Sequence, residues 1–260
     1  MFSKAYRDFL SGLSLYYVWI YQSYHDITAK YKRTILGSFW LAGGMVVTSM
    51  SMALLFGLLF RQPLQVILPY VMSGMLCFGL IGFVFNDSPE MFMIAGSIIK
   101  NHAYPFTFYG FHATCKSFFL FLHNMVVYWV IMALFRVVII PHWSLLPAIP
   151  IVLIFMFTVG SVSGLIASRY RDMRFMIPYI GQIMSYVVPI FWHAEQLPAQ
   201  AAQYMQLNPF YDLLQIVRLP MLGQAASPAI WGLALGYTAI AVIIWFVTFA
   251  MCRRRIPFWV

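Results

Sequence analysis

Lysine and arginine in this chain collect in alternate gaps between six long apolar stretches. The stretches run roughly Ser38–Phe60, Val66–Phe85, Ser117–Ile140, Leu146–Ser168, Phe175–Trp192 and Ala229–Cys252. About 20 apolar residues cross a bilayer core, so the pattern predicts an all-α integral membrane protein with six transmembrane helices. One set of gaps holds Lys4, Arg7, Lys30, Lys32, Arg33, Lys100, Lys116, Arg169, Arg171, Arg174 and Arg253 to Arg255. The other set holds only Arg61, Arg136 and Arg218. Basic residues stay on the cytoplasmic side of a membrane. The partition therefore predicts both termini in the cytoplasm.

Composition narrows the alternatives. At 62% hydrophobic and 9% charged, with a mean hydropathy of +0.81, this is not a soluble domain. Within 260 residues the six stretches leave no gap for a separate catalytic unit, so residues 1–260 form one membrane domain. A net charge of +9 fits anchoring against an anionic leaflet rather than nucleic-acid binding. Residues 1–37 lack the apolar run of a cleavable signal peptide. The first span itself would target the chain.

Three segments outside the spans carry their own patterns. In residues 1–37, Tyr6, Phe9, Leu10, Leu13, Tyr17, Ile20, Tyr21, Tyr24, Ile27 and Tyr31 recur at steps of three and four. That periodicity predicts an amphipathic helix lying in the membrane interface. Residues 86–116 form the one substantial cytoplasmic loop. There Ser88 suits an N-cap, Pro89 the first helical position and Glu90 the positive end of the helix dipole. The expected helix runs from about Pro89 to Ile99, with Lys100 at its C-terminal end. Met91, Phe92, Ile94, Ala95 and Ile98 make it apolar enough to press into a protein groove or the membrane surface. Residues 193–228 hold Pro198, Pro209, Pro220 and Pro228 between apolar runs too short to span. Short re-entrant or interfacial helices fit them, with Asn208-Pro209 at a turn.

Catalytic chemistry is poorly supplied. The six histidines show no HExxH pattern, and the three cysteines have no metal-like spacing, so no metal site is expected. None of the seven acidic residues falls in the middle of a span, which disfavours an ion-coupled transporter. A membrane-embedded lipid-modifying enzyme would need a cluster of His, Asp or Glu at one face. No GxxxxGK[ST] loop occurs, so any ATP would be bound by a separate chain. Small-residue ladders at Gly160, Gly164 and Ser168 and at Gly232 and Gly236 allow close helix packing. Aromatics on the first and fifth spans, Phe39, Trp40, Phe56, Phe60, Tyr186, Phe191 and Trp192, offer apolar faces on which sugar rings can slide.

Several ordered motifs resemble one family. Tyr31 to Trp40 (YKRTILGSFW) resembles the approach to the first span in membrane subunits of ABC-2-type polysaccharide exporters. Ser168 to Arg174 (SRYRDMR) is similar to that family's short cytoplasmic loop between spans four and five. Val188 to Trp192 (VPIFW) resembles the end of its fifth span, and Leu207 to Phe210 with Arg218 to Gly223 its external segments. The resemblance implies a homodimeric channel lined by spans one and five, with two ATP-binding subunits docked from the cytoplasm. These would carry the ATP and magnesium; this chain would bind no cofactor and would not itself be an enzyme. It implies a coupling helix at Pro89, Glu90, Met91, Phe92, Ile94, Ile98 and Lys100, with Arg169, Arg171 and Asp172 beside it. It further implies external gating helices over residues 193–228, with Asn208, Pro209 and Arg218 at the gate. The cargo would be a lipid-linked polysaccharide such as O-antigen, capsule or teichoic acid. Lys32 and Arg33 would meet its pyrophosphate in a bacterial inner membrane. An ABC-2 exporter of a small molecule or drug would share this architecture.

Overall fold

A computed structural model describes residues 1–31, 37, 39–194, 198, 204–205 and 207–260. All regular structure among them is helical. Five segments are long and apolar enough to cross a membrane: Ala42–Phe60 within α3 (Phe39–Phe60), α4 (Leu64–Ile81), α8 (Phe106–Leu134), α9 (Leu145–Arg169) and the stretch Pro228–Trp259 that contains α12 (Pro228–Cys252). The chain is a multi-pass helical membrane protein. The span predicted from Ser117 begins instead at Phe106, eleven residues earlier, because Pro105 sets the helix start and polar Thr107, His112 and Lys116 are carried within it.

The stretch predicted as a fifth span forms α10 (Met173–Val187), only 15 residues long. At 1.5 Å per residue this is about 22 Å, short of a core about 30 Å thick. Pro189 ends it. Val188 leaves helical geometry at φ −73° and ψ 132°, as the residue before a proline tends to.

The predicted loop helix is not continuous. After α5 (Phe83–Asn86), a single 3-10 turn at Ser88–Glu90 leads into α6 (Met91–Ile94), and the chain breaks at Ala95 before α7 (Gly96–Asn101). Ser88 is not the cap. Its side chain is fully buried, and its Oγ donates backwards to the Val84 carbonyl at 2.7 Å. A cap would have faced solvent, whereas this serine is pressed against α9, where a Cβ on Gly160 would lie 3.2 Å from Ser88 Cβ. Gly164, one turn on, meets the Ser88 carbonyl and the side chains of Met91 and Phe92. The ladder on α9 therefore packs within the chain. Gly232 and Gly236 on α12 face open space.

The N-terminal segment is also two helices, α1 (Phe2–Ser14) and α2 (Tyr16–Tyr31), hinged at Leu15. Its packed face is not the tyrosine-rich one. Ala5, Asp8, Gly12 and Ser23 are buried, with Val18 and Trp19 half-buried, while Tyr6, Tyr17, Tyr21 and Tyr24 stay more than half exposed. Gly12 is there because α1 meets the start of α8 closely: a Cβ would sit 2.3 Å from Thr107 Oγ1.

Two cores hold the bundle. The larger joins α4, α8, α9 and α11 (Pro209–Met221) through Leu68, Met72, Tyr128, Met156 and Val217. The smaller joins α1, the loop helices, α8 and α12 through Ala5, Phe92, Phe108, Trp245 and Phe249, and takes in Ile256 of α13 (Ile256–Trp259). Together these contacts bring both termini to one end of the bundle. At the opposite end the His142 N–H donates to the Pro220 carbonyl at 2.8 Å.

Candidate functional site

Arg218 organises that opposite end. The residue is 1% exposed, and α11 presents it to the place where α10 stops. Pro189 cannot donate to α10, so carbonyls at this break lose their helical partners. Arg218 Nη1 donates to the Pro189 carbonyl at 2.6 Å, and its Nε donates to Gln215 Oε1 at 3.2 Å. The guanidinium carbon also lies 4.2 Å from the centre of the Tyr70 ring. Tyr70 in turn donates its hydroxyl to the Pro189 and Trp192 carbonyls at 3.3 and 3.0 Å. A buried charge costs several kcal/mol unless its hydrogen bonds are met. Here backbone, amide and ring meet them, and no carboxylate lies in ion-pair reach among the described residues. The expected gate residue is thus an internal tie between α11, α4 and the end of α10. Sequence periodicity could not supply Tyr70, one polar group in an apolar run, whereas Asp212, Gln215 and Arg218 recur every three residues, a spacing that could have marked Gln215.

Asn208 and Pro209 act as a helix start. Asn208 Oδ1 accepts from the Phe210 N–H at 3.0 Å, and Pro209 occupies the first turn. Beyond this cap α11 is packed into the bundle: Leu213, Leu214, Ile216 and Val217 are fully buried, and the Phe210 ring meets Phe85 at a tilt and Phe155 edge-on. The helix is enclosed by α4, α9 and α12. Asp212 is enclosed with it. Both its carboxylate oxygens lack a partner among the described residues, and burial pushes its pKa from 3.8 up to about 7.

The aromatic residues separate into two places. Phe56 stacks on Phe60 at 5.7 Å and on Phe191 at 6.0 Å with 4° between the planes. Trp192 adjoins them in sequence. Phe39 and Trp40 stand at the other end of α3, and Phe39 meets His123 instead, at 5.4 Å. Tyr186 is 65% exposed on α10. On α10 only Gly181 is buried, where a Cβ would lie 2.5 Å from Phe85 Cβ. Lys32 and Arg33 lie outside the described residues.

At the end that gathers the termini, the residues expected to couple to a partner divide between inside and outside. Pro89, Met91 and Phe92 are buried within the chain, Glu90 and Ile98 are half-buried, and Ile94 is 75% exposed with Lys100. Their apolar face is thus largely consumed by α8 and α9. Arg171 and Asp172 are exposed, while Arg169 lies 5.7 Å from the ring centre of Trp259. Val260 covers Gly96 of α7. A buried latch ties this end together. Asp8 Oδ1 accepts from the Thr107 N–H at 3.1 Å and from Thr107 Oγ1 at 3.0 Å, and Arg253 donates to Asp8 Oδ2 at 2.7 Å. Asp8 thereby satisfies an N–H in the first turn of α8, which that helix cannot satisfy itself. Sequence reasoning missed this pair; Asp8 is the one acid on α1, and the run of three arginines at 253–255 was a signal that could have found it.

These features define a multi-pass helical membrane protein with a buried polar tie at each end of its bundle. No family model matches the chain, and no curated protein matches it either.

Proposed function

We propose that this chain is the membrane subunit of an ATP-driven exporter of a lipid-linked polysaccharide, O-antigen being the favoured cargo, in a bacterial inner membrane. One observation carries the reading. The two elements that would line a path, α3 and α10, are open along much of their length, as are the outer faces of α8 and α12. Leu54, Leu55, Leu58 and Leu59 are exposed on α3, and Tyr179, Ile183 and Tyr186 on α10. An apolar exposed face alone suits lipid. The polar residues Gln182 and Ser185 beside Tyr186 on the open side of α10 favour a path or a second copy instead.

In this reading two copies meet across α3 and α10, and the Phe56, Phe60 and Phe191 stack provides an apolar slide for sugar rings. The extended turn after Val187 completes a sixth crossing. α11 is a re-entrant element held by Arg218. The end holding both termini is cytoplasmic, with the tyrosine face of α1 and α2 in the headgroup layer. Ile94, Lys100, Arg169, Arg171 and Asp172 meet two separate ATP-binding subunits there, and Lys32 and Arg33 meet the pyrophosphate of the cargo.

Deleting the partner ATPase in the native host tests the reading. Lipid-linked polymer accumulates inside the cell if it holds, and continued export without any ATPase overturns it. Replacing Phe56 or Phe191 by alanine slows export at unchanged protein level, while Trp40→Ala at the far end of α3 reports whether the path extends that way.

A further inference from the structure

The chain has seven acidic residues, and three of them, Asp26, Asp87 and Glu90, line a single cavity of about 590 Å³. It lies between α2, the first turns of α8 and the loop helices. Its size falls within the roughly 300–1,000 Å³ of small-molecule sites. In a protein of net charge +9, this lining carries one lysine, Lys116, and no arginine. The charge of the lining is therefore opposite to that of the chain.

The walls are aromatic as well as acidic. Tyr104 and Phe108 stack at 4.9 Å with 16° between their planes. Tyr109, 4% exposed, also lines the cavity, and its buried hydroxyl has no partner among the described residues. A buried hydroxyl left without a partner costs free energy that a bound ligand recovers. Asp26 is engaged by His112 at 3.1 Å, which leaves Glu90, half-buried at the wall, to face the space. The rim is open: Tyr104 is 38% and Ile94 75% exposed.

We propose that this cavity binds an organic cation, an ammonium group carried on an apolar body. Carboxylates balance the charge, aromatic faces attract it, and the Tyr109 hydroxyl fixes its polar edge. A neutral sugar has no use for the excess negative charge, and an anion is repelled by it. The site lies apart from the aromatic stack near Pro189, and it shares Ile94 at its rim with the face that the export reading gives to an ATP-binding subunit.

The test is equilibrium dialysis of benzylamine, protonated at pH 7, against the full chain in lipid nanodiscs. Saturable binding is expected. Glu90→Gln weakens it about tenfold, as loss of one charge-assisted contact does. Lys116→Met removes the repelling charge and tightens it severalfold, an outcome a damaged fold does not give. Tyr109→Phe weakens it a few-fold. Absence of saturable binding, equal binding by wild type and Glu90→Gln, weaker binding by Lys116→Met, or displacement of the cation by methyl β-glucoside overturns the proposal.

Discussion

Asp8 and Asp212 are both buried acids, and their surroundings could hardly differ more. Asp8 collects a backbone N–H, a hydroxyl and a guanidinium from two other segments. Asp212 collects nothing among the described residues, although Arg218 lies less than two helical turns away on the same helix and spends its donors on Pro189 and Gln215. One burial gives a carboxylate three donors and joins three pieces of chain. The other removes the reason for a charge, and the proton stays on until near neutrality. Burial alone therefore says little about an acid's role; the donors that converge on it decide.

The contrast breaks most clearly at Asp8. Asp8→Ala leaves the Arg253 guanidinium and the Thr107 N–H without their carboxylate and is expected to cost about 3–5 kcal/mol. Tryptophan fluorescence of the purified protein should show melting lowered by about 10 °C. Gly12→Ala comes next. Its Cβ would meet Thr107 Oγ1 at 2.3 Å, so α1 must back away from the latch at a cost of about 1–3 kcal/mol. Faster trypsin cleavage at Lys4 and Arg7 reads that displacement.

Asp212 gives a smaller effect of definite sign. Its folded pKa of about 7 exceeds the unfolded 3.8, so the folded protein binds this proton more tightly. The contribution is full below the unfolded value and is lost as pH climbs toward about 7. Raising pH from 5 to 6 should cost roughly 1 kcal/mol in a denaturant titration, and Asp212→Asn should flatten that slope. The smallest effect is the same substitution at pH 5. The amide imitates a protonated carboxyl, and stability should change by less than about 0.5 kcal/mol. A large loss there would mean that Asp212 is charged and paired after all.

Periodicity and charge made the spans legible. The first, fourth and sixth stretches match α3, α9 and α12 to within a residue or two. Where the sequence misled, a local rule lost to packing. Ser88 has the chemistry of a cap, yet Gly160 and Gly164 open a groove on α9 that draws it inward. The tyrosine periodicity of residues 1–31 is real, but it marks the free face, because small Ala5 and Gly12 permit closer approach than rings do. Phe56, Phe60 and Phe191 come together as one would wish for a path, whereas Phe39, twenty-odd ångströms along the same helix, cannot join them. The acidic cavity was illegible for another reason. Asp26 and Glu90 are distant in sequence, and only the fold of the loop helices against α2 unites them.

The Asp8 to Arg253 contact joins residues 245 apart in sequence. A ribosome delivers the first partner long before the second. Until every span between them has been threaded into the bilayer, α1 has a seat on α8 but no lock. Closure of the latch is then a step that only a chain with α12 already in place can complete.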